Sequence, residues 1–190
     1  MIEIRIHGRG GQGAVVASKI LADAAFREGH SVQTFPQFGV ERRGAPVAAF
    51  VRIADPDEPL WIRCHVTTPH IVIVLDATLL ETAGILEGLR DGGIVLVNSP
   101  QPPDALAIPS KYQVATVDAS AIALKHKLGT RTQPIVNTAI LGAFVKVTRL
   151  VRLESVLEAI RENVPVDPEG NVRAAEEAFA TVLSSARAAA

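Results

Sequence analysis

The stretch with the plainest chemical content is Gly8-Arg9-Gly10-Gly11-Gln12-Gly13, in which four of six residues are glycine. Ile2-Glu3-Ile4-Arg5-Ile6-His7 precedes it and alternates apolar with polar residues, as a strand does. A helical pattern follows over residues 12–28, with Gly29 placed to end it. Glycine tolerates positive φ and the close approach of other groups. A strand that enters a helix through such a loop leaves backbone N–H groups that the helix cannot satisfy, with the helix dipole behind them. That arrangement suits an anion, most often a phosphate. The plain alternative is a tight strand–helix turn that binds nothing.

Gly8, Gly10 and Gly13 match the dinucleotide fingerprint G-x-G-x-x-G in its strand–turn–helix context. A nicotinamide site also needs an acidic residue at the tip of the second strand to hold the ribose. Here that strand, Ser31-Val32-Gln33-Thr34-Phe35-Pro36, ends without one, which counts against a stand-alone dehydrogenase. Arg42 and Arg43 lie in a loop over residues 36–46, bounded by prolines and glycines. A guanidinium fork suits phosphate, and it equally suits carboxylates across a subunit interface. Asp76 closes a buried strand where open α/β sheets place ligands, or it caps the next helix. Asn137, at the start of an apolar helix, could face a ligand or satisfy nearby backbone.

Other chemistries are absent. One cysteine, Cys64, rules out an internal disulfide and any cysteine-ligated cluster or zinc site built from this chain alone. His65 beside it would point to the opposite face of a strand, so no cysteine–histidine pair forms. The five histidines show no metal-binding spacing, and no serine–histidine–aspartate set or carboxylate pair is evident. A formal net charge of −1 excludes a broad nucleic-acid footprint. No apolar run reaches the ~18 residues of a membrane span, and no signal peptide opens the chain, so a cytoplasmic protein is expected. The chain thus offers an anion-binding loop and two arginines without catalytic machinery. That suits a subunit holding a ligand while another chain does the chemistry.

The elements that must position these residues follow from the pattern. The 190 residues, 48% hydrophobic but only 4% aromatic, predict one domain with an aliphatic core. Such a core is typical of parallel strands covered by helices on both faces. Strands are expected at 31–35, 47–54, 70–75, 94–97 and 114–117. A return strand at 60–65 would make an antiparallel hairpin with 47–54. Thr78 with Glu81 suggests a capping box for a helix reaching residue 89. Further helices are expected at 118–129, at 135–147 with Pro134 in its first turn, and at 153–161. A last helix runs from an Asp167-Pro168 start toward residue 189.

Three stretches together carry a family resemblance: His7-Gly8-Arg9-Gly10-Gly11-Gln12-Gly13-Ala14-Val15, the run from Phe35 through Glu41-Arg42-Arg43 to Val47, and Val72-Ile73-Val74-Leu75-Asp76. Gln133-Pro134-Ile135-Val136-Asn137-Thr138-Ala139 and Leu141-Gly142-Ala143 extend it. They resemble the gamma subunit of 2-oxoacid:acceptor oxidoreductases, closest in form to pyruvate- and 2-oxoisovalerate-type members. The resemblance implies a Rossmann-like, mostly parallel sheet with helices on both faces and an inserted antiparallel hairpin. It implies a single domain over residues 1–190, with 165–190 a C-terminal helical tail.

The implied reaction is the oxidative decarboxylation of a 2-oxo acid, such as pyruvate or phenylglyoxylate, to an acyl-CoA and CO2. Electrons pass to ferredoxin or another acceptor such as NAD. Alpha, beta and delta-type subunits would complete the hetero-oligomer. Thiamine diphosphate, Mg2+ and [4Fe-4S] clusters would sit in those partners, while this chain, inactive alone, helps to receive coenzyme A. The residues then expected at the coenzyme are Gly8, Arg9, Gly10, Gly11, Gln12, Gly13, Arg42, Arg43 and Asn137. A purely structural assembly subunit remains the rival reading.

Overall fold

The computed structural model describes residues 1–37, 45–81 and 84–185. Strand β1 (Ile2–Arg9) leads through the glycine loop into helix α1 (Ala14–Arg27) and then to β2 (Ser31–Gln37). The chain returns as β3 (Pro46–Ala54), which inserts antiparallel between β2 and β1. Strands β4 (Ile71–Val74), β5 (Ile94–Asn98) and β6 (Gln113–Val117) extend the sheet parallel to β1. The seven-stranded order is β2-β3-β1-β4-β5-β6-β9, where β9 (Leu183–Ser184) adds a short antiparallel edge. A two-residue pair, β7 (Gly129–Thr130) with β8 (Gln133–Pro134), stands apart. Helices α2 (Ala119–Lys125), α3 (Ala139–Thr148), α4 (Leu153–Asn163) and α5 (Pro168–Thr181) complete the chain.

Alternation along the strands decides the layers. Ile4, Ile6, Ile71, Ile73 and Leu96 face the α-helices in one aliphatic core, in which Phe144 is fully buried and Phe179 packs at the margin. Val72, Val74, Val95 and Val97 face the other side, where Leu79, Ile85 and Leu89 cover them. Where helical cover is expected on this second face, the described residues form a pair of 3-10 turns, Ala77–Glu81 and Pro103–Ala105.

Four expectations need correction. Residues 60–65 form no strand. Both edges of β3 are already occupied, so the antiparallel hairpin pairs β3 with β2, and 60–65 lies across the sheet face instead. The capping box at Thr78 does not form, because the Thr78 hydroxyl is engaged by Asp76 and Arg9. No α-helix develops over the described part of 77–89. Gly84 and Gly88 take positive φ there, and a β-carbon on Gly88 would fall 1.9 Å from the Thr67 carbonyl oxygen. Helix α3 starts at Ala139 rather than 135, since Ile135 N–H donates to Leu128 O in the small hairpin that holds Pro134. The last helix stops at Thr181, and the chain then joins the sheet as β9.

Candidate functional site

The C-terminal ends of β1, β4, β5 and β6 open on one edge of the sheet, where α/β folds bind ligands. The glycine loop sits there because β1 ends at Arg9 and α1 begins at Ala14. Gly11 and Gly13 take φ of +98° and +80°, a region open to glycine at little cost. The loop is closed from within. Gln12 folds back so that its Oε1 accepts from the Arg9 N–H at 2.7 Å, and its Nε2 donates to Asp76 at 3.3 Å. Gly10 N–H donates to Ala45 O at 2.9 Å, which ties the loop to the start of β3.

Asp76, one residue past Leu75 at the end of β4, organises the other side. Its Oδ2 accepts from Arg9 Nε at 2.9 Å, while Oδ1 accepts from the Thr78 hydroxyl at 2.6 Å and the Thr78 N–H at 3.0 Å. Arg9 Nη2 in turn donates to Thr78 Oγ1 at 2.8 Å. Burial alone would raise the Asp76 pKa, but the bonds from Thr78, Arg9 and Gln12 outweigh it and hold the carboxyl below its ordinary value. Asp76 is therefore both a cap for the following turn and the anchor of the loop. Its place at the ligand-binding edge is legible in the sequence, whereas the partnership with Arg9 and Gln12 is tertiary. The spacing of a strand-end acid beside the glycine strand was the available signal.

The N-terminus of α1 has no side-chain cap. Asn137 lies against it, so close to Gly13 that a β-carbon there would sit 2.5 Å from Asn137 Nδ2. Asn137 is only 5% exposed. Its Oδ1 accepts from the Thr138 N–H, while Nδ2 makes no hydrogen bond among the described residues. Its position is built from below: the buried Thr138 hydroxyl donates to Asn171 Oδ1 at 2.8 Å, joining the starts of α3 and α5. At the end of β5, Asn98 Nδ2 donates to Leu75 O and Ser120 Oγ, knitting β4, β5 and α2 together.

Of the residues expected at the site, Gly8, Arg9, Gly10, Gly11, Gln12, Gly13 and Asn137 converge on this edge. Arg42 and Arg43 lie outside the described residues. The flanking residues Gln37 and Ala45 leave and re-enter the sheet at the same edge, beside Arg9. What the arrangement offers is a set of N–H donors at a helix start, an amide donor beside them and, among the described residues, no atom within 4 Å of where a β-carbon on Gly11 would stand. Such a set can cradle an anion, and among the described residues no activated nucleophile stands in it.

Comparison with known proteins bears on this cradle. The sequence model of the family described as pyruvate ferredoxin/flavodoxin oxidoreductase matches residues 3–181. The chain is 55% identical over 183 residues to the pyruvate/ketoisovalerate oxidoreductases common subunit gamma of Thermococcus kodakarensis, covering 94% of this chain and 96% of that one. It is 50% identical to pyruvate synthase subunit PorC of Methanocaldococcus jannaschii, covering 96% and 98%. The crystal structure of pyruvate oxidoreductase subunit PORC from Thermotoga maritima superposes with a TM-score of 0.81 at 38% identity, over 97% of this chain and 98% of that chain. The fold also recurs, at 21% identity and a TM-score of 0.75, within 30% of a longer chain of 2-oxoglutarate:ferredoxin oxidoreductase from Magnetococcus marinus.

Proposed function

The chain belongs to the pyruvate ferredoxin/flavodoxin oxidoreductase family, as the gamma subunit of a 2-oxoacid:ferredoxin oxidoreductase, and on that premise we propose that its glycine-loop edge receives the phosphates of coenzyme A. The observation that carries the reading is the Asn137 side chain, its Oδ1 held by the Thr138 N–H and its Nδ2 without a partner among the described residues, set against the start of α1, which no side chain caps. An amide donor beside the N–H groups of a helix start suits a phosphate oxygen.

The roles divide by chemistry. The N–H groups at the start of α1 and Asn137 Nδ2 donate to phosphate oxygens. Gly11 and Gly13 keep the approach clear of side chains. Arg9 and Gln12, bonded to Asp76, hold the loop in shape rather than reach for the ligand. Arg42 and Arg43, outside the described residues, are assigned to the phosphates by the chemistry of their guanidinium groups alone. Thiamine diphosphate with Mg2+ supplies the carbon–carbon cleavage, and [4Fe-4S] clusters carry the electrons, all in alpha, beta and delta-type partner chains. This chain contributes position and field for the thioester-forming half of the reaction, in the cytoplasm, with ferredoxin as electron acceptor. Pyruvate and 2-oxoisovalerate are the substrates in view, from the names of the relatives.

The test is a coenzyme A titration of the assembled complex carrying Asn137→Ala or Arg43→Ala. Each variant is expected to bind about tenfold more weakly or worse, with the KM for the 2-oxo acid unmoved. Unchanged coenzyme affinity and turnover in both variants would overturn the reading in favour of a structural brace.

A further inference from the structure

Across the sheet from the helices, on the β2–β3 side, residues 60–65 present a feature the coenzyme site does not use. Trp61 is 86% exposed and Ile62 70% exposed, side by side. They do not belong to a loose tip. Arg52 on β3, almost wholly buried and paired with Glu3 at 3.0 Å, donates through Nη1 to the Ile62 carbonyl at 2.9 Å and through Nη2 to the Cys64 carbonyl at 2.9 Å. Arg63 lies over the Phe35 ring, His65 stacks on Phe50, and Val66 is buried behind them. The backbone is thus pinned from beneath by a buried ion pair, and the two largest apolar side chains of the strip are held out into solvent.

We propose that the Trp61–Ile62 strip is an anchor for another subunit of the oxidoreductase, one that offers an apolar pocket edged by carboxylates. Rigid, exposed tryptophan with an aliphatic neighbour is the composition of an interface hot spot rather than of ordinary surface. Between Leu60 and Val66 the one residue with a fixed charge is Arg63, and no carboxylate is present, so the complementary rim is acidic. Two side chains alone fall far short of the roughly 800 Å² per partner that a specific dimer takes. The strip is therefore one anchor within a wider contact, as in a multi-subunit assembly, and a second copy of this chain is the poorer fit. The inference rests on family membership and not on the coenzyme reading.

Trp61 is the sole tryptophan of the chain, which makes it a reporter of its own surface. The chain labelled with 5-fluorotryptophan gives one fluorine resonance. On assembly with unlabelled partner subunits that resonance is expected to shift and to lose its sensitivity to H2O/D2O exchange of the solvent. A resonance that stays solvent-sensitive in the complex overturns the proposal. In parallel, Trp61→Ser combined with Ile62→Ser should leave the melting temperature of the isolated chain unchanged and weaken its association with the partners by about tenfold or more. Unaltered association overturns the proposal, as does burial of Trp61 by self-association of the isolated chain. Coenzyme affinity measured on whatever complex remains separates this outcome from failure of the coenzyme site.

Discussion

Gly13 and Asn137 occupy each other's space: the Cβ that any other residue would carry at position 13 falls 2.5 Å from Asn137 Nδ2 and 2.9 Å from its Cγ. The contact joins the start of α1 to the turn before α3, two elements more than a hundred residues apart in sequence. Whatever binds at the loop therefore meets backbone and amide as one surface.

Gly13→Ala should consequently do more than strain the loop. Alanine at φ +80° costs about 1–2 kcal/mol, and Asn137 must also retreat. Gly11→Ala is the matched control, since its φ is +98° but an added β-carbon meets nothing within 4 Å among the described residues. Both variants should lower the melting temperature of the chain. Only Gly13→Ala should also weaken coenzyme A binding of the complex beyond about tenfold. Equal binding losses in the two would show that Asn137 is not part of the ligand surface.

Asp76→Asn keeps the shape of the side chain and removes the charge that Arg9 and Gln12 bond to. Arg9 is about a third exposed, so solvent screens the pair and the expected cost is about 1 kcal/mol at neutral pH. The folded-state carboxyl lies below its ordinary value, so its contribution is present above that value and is lost as pH falls through the folded one. Urea unfolding should therefore show a constant gap between wild type and variant from pH 7 down to about pH 4, closing below it. A gap that persists unchanged in stronger acid would assign the cost to packing instead of charge.

Gly142→Ala tests the packing that sets the site from behind. A β-carbon on Gly142 would lie 1.8 Å from the Ala175 carbonyl oxygen, so α3 and α5 could not keep their present spacing. A loss of about 3 kcal/mol is expected, measured by chemical denaturation of the isolated chain. Because the Thr138–Asn171 bond also bridges these two helices, coenzyme binding should weaken along with stability. Stability lost with coenzyme affinity fully retained would uncouple Asn137 from this pair of helices.

How far the sequence carried the reading follows from where the information is local. The β1–loop–α1 unit is local: alternation, four glycines and the Gly29 stop all lie within thirty residues, and strand, loop and helix stand where the pattern puts them. The failures are tertiary. Residues 60–65 have strand composition, but whether they pair depends on an edge that β2 and β1 had already taken. Pro134 is a good helix starter, yet its neighbour's N–H goes to Leu128. Asn137 could be named as a candidate, whereas its contact with Gly13 depends on how α3 docks. Asp76 and Thr78 were legible as a cap and not as the partners of Arg9, which comes from another strand.

His7, near the end of β1, supplies a pH signature. Its side chain projects to the face opposite Ile6, between β3 and β4, and its Nε2 is buried without a hydrogen-bond partner. Burial, reinforced by the nearby Arg5 guanidinium, pushes its pKa down to about 4. The unfolded chain binds a proton near pH 6.5 that the folded chain refuses until about pH 4. Stability is therefore complete above pH 6.5 and declines as pH falls through that window, by about 3 kcal/mol at most for this one group. His7→Gln cannot titrate and should flatten most of the decline between pH 7 and pH 5 in thermal melts of the isolated chain. A smaller slope should survive from His70, which burial and Arg90 also shift downward and whose Nδ1 must stay unprotonated to accept the Glu3 N–H. If the variant loses stability with acid as steeply as wild type, the decline belongs to other groups and His7 is not held neutral by its surroundings.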